Sequence, residues 1–150
     1  MFRGSSNTLR NNNVGLSPEG GLMIKMINKT GANSVKGHVL AAGTINDSVI
    51  KTVIDTANAI GVFYESGVAD GQKAWVIVSG IASVYYIGST TAGHISRIFV
   101  TADVGYVVGQ AMSELYPASP FASDKHFCEI GHVIESRTGA GLAKTILHFN

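Results

Sequence analysis

The residues best suited to chemistry gather near the C-terminus, where His126, Cys128 and His132 follow one another, Glu129 and Glu135 stand beside them, and His148 lies on a later apolar run. Two imidazoles and a thiolate form a zinc-binding set, and a carboxylate or a third imidazole would supply a fourth ligand. On one extended strand, residues 126, 128, 130 and 132 share a face, yet a rise of ~3.3 Å per residue puts His126 and His132 about 20 Å apart. One ion cannot bridge that span unless the chain bends sharply between 120 and 127 or at Gly131. The expectation is therefore histidines satisfied by hydrogen bonds, with no metal and no cofactor. Cys128 sits between Phe127 and Glu129 in an apolar run. A reactive thiolate needs a nearby cation or helix start, whereas the immediate neighbours are an aromatic ring and an acid. It reads as a small buried hydrophobe.

Other signatures fail on inspection. Residues 139–145 (GAGLAKT) have a glycine-rich start and a Lys-Thr end, but Ala143 stands where a phosphate-binding loop requires glycine. The surroundings read as strand–turn–strand rather than strand–loop–helix. Neither a G-x-S-x-G elbow nor an H-E-x-x-H pair is present. Phe63, Tyr64, Trp75, Tyr85 and Tyr86 could stack nucleic-acid bases. However, 11 basic residues are spread thinly against 10 acidic ones, which leaves no electrostatic funnel. Core packing and subunit contacts suit these aromatics better, and the chain reads as a non-enzyme.

The elements that hold these residues follow from composition. A chain of 150 residues is one ordinary domain, and 45% hydrophobic residues are ample for a core. Charged residues make up 14%, below the roughly 25% usual for soluble domains. Such a surface suits a chain partly covered by a partner. One cysteine excludes an intramolecular disulfide framework. No apolar run approaches the ~20 residues that span a bilayer, and the N-terminus lacks the apolar core of a signal peptide.

Apolar runs of strand length alternate with glycine-rich turns, predicting strands over 23–28, 35–41, 60–65, 73–79, 81–87, 94–101 and 104–110. Gly80 reads as a break between two of them. Residues 48–59 fit either a helical face or a strand, and their Val, Ile and Thr content favours strand. Residues 111–115 could form a helical turn, and Pro117 and Pro120 mark a loop. The clearest hairpin joins 127–135 to 142–149 through the glycines of 136–141. With no βαβ rhythm, the expected fold is all-β: a compact β-sandwich or β-barrel over 22–150. Residues 1–21, rich in Asn, Ser and Gly, read as an extended N-terminal arm, disordered or laid along a partner.

Several phrases carry a resemblance: 60–71 (IGVFYESGVADG), 76–84 (VIVSGIASV), 126–136 (HFCEIGHVIES), the ending ILHFN, and 28–37 near the start. Together they resemble the capsid decoration, or cement, proteins of tailed-phage heads. The likeness runs over about 23–150 and is a pattern of β-hairpin phrases rather than a catalytic signature. It implies a virion structural protein, a homotrimer assembled in the host cytoplasm that grips the outer face of the major capsid protein, without nucleic acid or membrane. Phe2, Arg3, Leu9, Arg10, Val14 and Leu16 of the arm are then the expected contacts with capsid or a neighbouring subunit. The alternative it leaves open is a head- or tail-fibre component that binds a host glycan or receptor, with Trp75, Tyr85 and Tyr86 as the first place to look.

Overall fold

The computed structural model describes residues 12–56, 58–101, 103–115 and 128–149. Within them the chain forms ten strands: β1 (Val14–Leu16), β2 (Gly21–Asn28), β3 (Val39–Ala42), β4 (Ser48–Lys51), β5 (Ala59–Phe63), β6 (Lys73–Tyr86), β7 (Ile95–Arg97), β8 (Met112–Glu114), β9 (Glu129–Val133) and β10 (Gly141–Leu147). The fold is all-β, as the glycine-punctuated apolar runs predict.

The pairings close a ring. β2 pairs with β4 in parallel; β4 with β3, β3 with β5, β5 with β6, and β6 with β2 pair antiparallel. Closure leaves those five strands with few free edges, which protects them from edge-to-edge association. β6 is long enough to leave the ring and continue into an open sheet ordered β6-β10-β9-β7-β8. Alternation of side chains divides the core accordingly. Leu40, Val49, Phe63, Ala74 and Val76 form one buried cluster. Their strand neighbours Val39, Val62 and Ile77 join a larger one with Val84, Tyr86, Ile130, Val133, Ala143 and Leu147.

Gly80 bends β6 without ending it. Its φ of 83° lies in the left-handed region, and a side chain there would run into the Gly20 carbonyl, so glycine alone fits. The break expected at Gly80 is thus a bend in one 14-residue strand.

Other boundaries shift for similar reasons. The strand expected over 48–59 ends at Lys51, because Asp55 turns the chain at φ 59° and its carboxylate accepts the Thr101 backbone N–H at 2.9 Å. The segment 104–110, expected as a strand, is a series of turns built on Gly105 and Gly109, both at positive φ. Where a helical turn is expected over 111–115, β8 instead pairs antiparallel with β7. The hairpin of β9 and β10 forms as predicted, with Thr145 opposite Val133 and Leu147 opposite Gly131.

The segment read as an arm contributes to the sheet. β1 pairs with β2 through Val14↔Ile24 and Leu16↔Leu22. Its return turn is fixed by the Gly21 N–H donating to Ser17 Oγ at 2.8 Å and by Gly20 at φ 104°. Polar composition suggested an arm here, but the Ser-Pro-Glu-Gly-Gly run is turn chemistry.

Candidate functional site

Three features of the surface and core could serve a function. The first is the edge formed by β1. Val14 is 47% exposed, Leu16 76% and Leu22 40%. The register places Leu16 directly opposite Leu22, so these apolar side chains share one face at the margin of the sheet. Among the described residues no strand pairs with the outer side of β1, and an edge of that kind leaves backbone donors and acceptors available. Val14 and Leu16 therefore lie where a partner could meet them. Phe2, Arg3, Leu9 and Arg10 lie outside the described residues.

The second feature is the group of aromatics. Tyr86 and Phe63 are buried. Tyr86 Oη meets Thr145 Oγ1 at 2.5 Å, and burial pushes its pKa up to about 12. Trp75 lies beneath Lys25 Nζ, 5.0 Å from the ring centre, and Lys36 Nζ stands 5.4 Å from the Tyr64 ring. Trp75 and Tyr85 lie ten residues apart on β6, on either side of the Gly80 bend, with Trp75 paired to Lys25 of β2 and Tyr85 to Leu142 of β10. Trp75, Tyr85 and Tyr86 therefore do not form one stacking site, because strand length separates two of them and the core takes the third.

The third is the cluster at the end of the β9–β10 hairpin. His148 Nε2 lies 2.7 Å from His132 Nδ1, and the rings stack at a tilt with centroids 4.8 Å apart. Glu129 Oε1 lies 3.4 Å from His148 Nε2 and 3.7 Å from His132 Nε2. On a regular strand, residues 129 and 132 point to opposite faces. Here β9 has a bulge: Ser96 faces Gly131 and Arg97 faces Glu129, leaving Ile130 as the extra residue. A bulge of that kind re-aims side chains and brings the carboxylate to the histidines. Gly131 permits the close passage of β9 and β10, since any side chain there would strike the Ile146 carbonyl.

Thus the structure joins His132 with His148 and Glu129, whereas Cys128 turns into the core beside Ile130 and Val133. His126 lies outside the described residues. Glu135 points its Oε1 elsewhere, accepting the Lys144 backbone N–H at 3.2 Å.

Sequence reading gave no sign of a further buried group, Arg97, which is 1% exposed. Its Nη1 and Nη2 donate to the two Asp103 oxygens at 2.7 and 3.0 Å, and its Nε donates to Glu114. Burial alone would lower the Arg97 pKa, but the hydrogen bonds and charges of Asp103 and Glu114 hold it above its ordinary value. This triad ties β7 to β8 and to the loop at 103. His38 is also buried, and its Nδ1 has no hydrogen-bond partner among the described residues. Burial first, and then the charge of Lys51, keep its pKa below the ordinary histidine value.

No family model matches the chain, and no curated protein matches it. Among solved structures, the chain is similar to the crystal structure of the head fiber gp8.5 N base of bacteriophage phi29. The TM-score is 0.54 at 13% identity, over 84% of this chain and 92% of that one. At this identity the likeness is one of fold, over most of both chains.

Proposed function

We propose that this chain is a structural protein of a tailed-phage head, a decoration or cement protein that binds the outer surface of the major capsid lattice as a homotrimer and stabilises the head. The observation that carries the reading is the fold shared with a phage head-fibre base over 84% of this chain and 92% of that one. The role is one of binding, on the virion exterior, rather than catalysis. The apolar edge of Val14, Leu16 and Leu22 suits it, because a protein that grips a lattice needs a low-charge contact surface. Three such edges on a symmetric trimer would gain from multivalency, by about 10²–10⁴-fold over one contact.

A second reading is favoured by the identity of the neighbour itself. The chain could be the base of a head fibre, seated on the capsid and carrying a receptor-binding part. Occupancy on heads tests both. Leu16→Asp with Val14→Asp is expected to leave the domain folded, because both side chains point to solvent, and to lower the number of copies bound per head. Unchanged occupancy would remove this edge from the contact. A trimer that saturates the lattice supports the decoration role, whereas binding at a few sites per head supports the fibre base.

A further inference from the structure

We infer that Glu129, His132 and His148 form a binding site for one zinc-class divalent cation, independently of any role on a phage head. The donor atoms of the three side chains all lie within 4.8 Å of one another. Two imidazoles and one carboxylate are a recognised three-ligand zinc set, with a fourth position left to water or an outside ligand. Imidazole nitrogen with a single carboxylate favours zinc and its neighbours over calcium or magnesium, which prefer all-oxygen sets.

The separations suit a tetrahedral ion. Bond lengths of ~2.0–2.1 Å place ligand atoms about 3.4 Å apart across the metal. Glu129 Oε1 already stands 3.4 Å and 3.7 Å from the two Nε2 atoms. The 2.7 Å imidazole contact runs from His148 Nε2 to the other His132 nitrogen, Nδ1, so it is a hydrogen-bond distance between the rings rather than the separation of two ligand atoms. For His132 Nε2 and His148 Nε2 to share an ion the rings give up that contact, and the two side chains, 45% and 44% exposed, have room to turn. Glu129, by contrast, is 2% exposed and held at the bulge, so the carboxylate forms the fixed floor of the site.

The local backbone supports this geometry. The bulge at Ile130 brings a residue of the wrong face to the histidines, and Gly131 allows the two strands to pass close enough for the diagonal pair His132 and His148 to touch. His148 lies just past the end of β10, so a bound ion would clamp the backbone that follows β10 to β9. Metal binding to the folded state alone stabilises it by mass action.

The test is equilibrium dialysis of the untagged, chelator-stripped full chain against zinc sulfate, with metal analysis, and a parallel cobalt titration followed by visible absorption. The wild type is expected to retain about one zinc per chain and to give the intense absorption of tetrahedral cobalt. Its thermal midpoint should rise with zinc. His148→Ala and His132→Ala should each lose the ion, the cobalt bands and the midpoint shift, while keeping the wild-type circular dichroism spectrum. Because both rings are half exposed, these variants are expected to fold; Glu129→Gln adds a third ligand deletion that keeps shape. Zinc retention by the His132→Ala/His148→Ala double variant, or no retention by the wild type above that variant, would overturn the assignment.

Discussion

Replacing Arg97 by methionine isolates the cost of leaving buried carboxylates without their cation. The arginine is 1% exposed and grips Asp103 with two nitrogens, while its Nε donates to Glu114. Methionine retains much of the aliphatic bulk, so packing loss is small. Removing one partner of a buried pair costs about 3–5 kcal/mol, since the remaining charge stays desolvated. Asp103 and Glu114 side chains are 13% and 27% exposed, so water can compensate in part, and the lower end, about 3 kcal/mol, is expected. For a chain of this size that corresponds to a fall in Tm of roughly 6–12 °C. Urea unfolding followed by far-ultraviolet circular dichroism gives the value directly. Adding Asp103→Asn to Arg97→Met should cost less than the two single changes summed, because the second removes the charge that the first strands. A loss under about 1 kcal/mol, or strict additivity, would refute the claim that the triad holds β7, β8 and the 103 loop together.

Three further outcomes follow from named contacts. The Tyr86 pKa is raised to about 12 by burial, so the folded state holds its proton where the unfolded chain releases it; stability should decline from about pH 10 upward, by roughly 2–3 kcal/mol at pH 12, and Tyr86→Phe should flatten that limb in urea titrations. The His38 pKa is lowered, so the unfolded chain binds the proton first; stability should fall as pH drops below 6.5, and His38→Phe should abolish this part of the pH profile while the remainder persists. Gly131→Ala places a methyl group against the Ile146 carbonyl, and it should lower stability by about 1–3 kcal/mol in chemical denaturation; a neutral result would mean that β9 and β10 separate at no cost.

The class of fold was legible because all-β architecture is set by many short apolar runs and glycine turns, each readable locally. The β9–β10 hairpin was legible for the same reason. What the residues did not reveal depends on contacts far apart in sequence. Closure of the ring rests on β2 pairing with both β4 and β6, and no local pattern encodes that. β1 was hidden because its three residues carry only two large apolar side chains, and their partner strand supplies the order. Residues 104–110 read as a strand from their valines, but Gly105 and Gly109 at positive φ decide otherwise.

The cluster of Glu129, His132 and His148 shows the same limit. Alternation on a flat strand groups His126 and Cys128 with His132 and holds the two histidines too far apart for one ion, with a glutamate or His148 only as a fourth ligand. The bulge at Ile130 changes the face of Glu129, and cross-strand register brings in His148 from sixteen residues away. A glycine inside an apolar strand, Gly131, was the sequence signal for such an irregularity. Arg97 offered no signal, since Glu114 becomes its neighbour only when β7 meets β8, and Asp103 only when the loop after β7 turns back on it.

Light scattering coupled to gel filtration, on the purified chain with and without empty tailed-phage heads, tests the proposed role most directly. The account predicts a trimer of about 47 kDa, from a chain of 15.7 kDa, that co-elutes with heads. A monomer that elutes apart from heads at every concentration would contradict it.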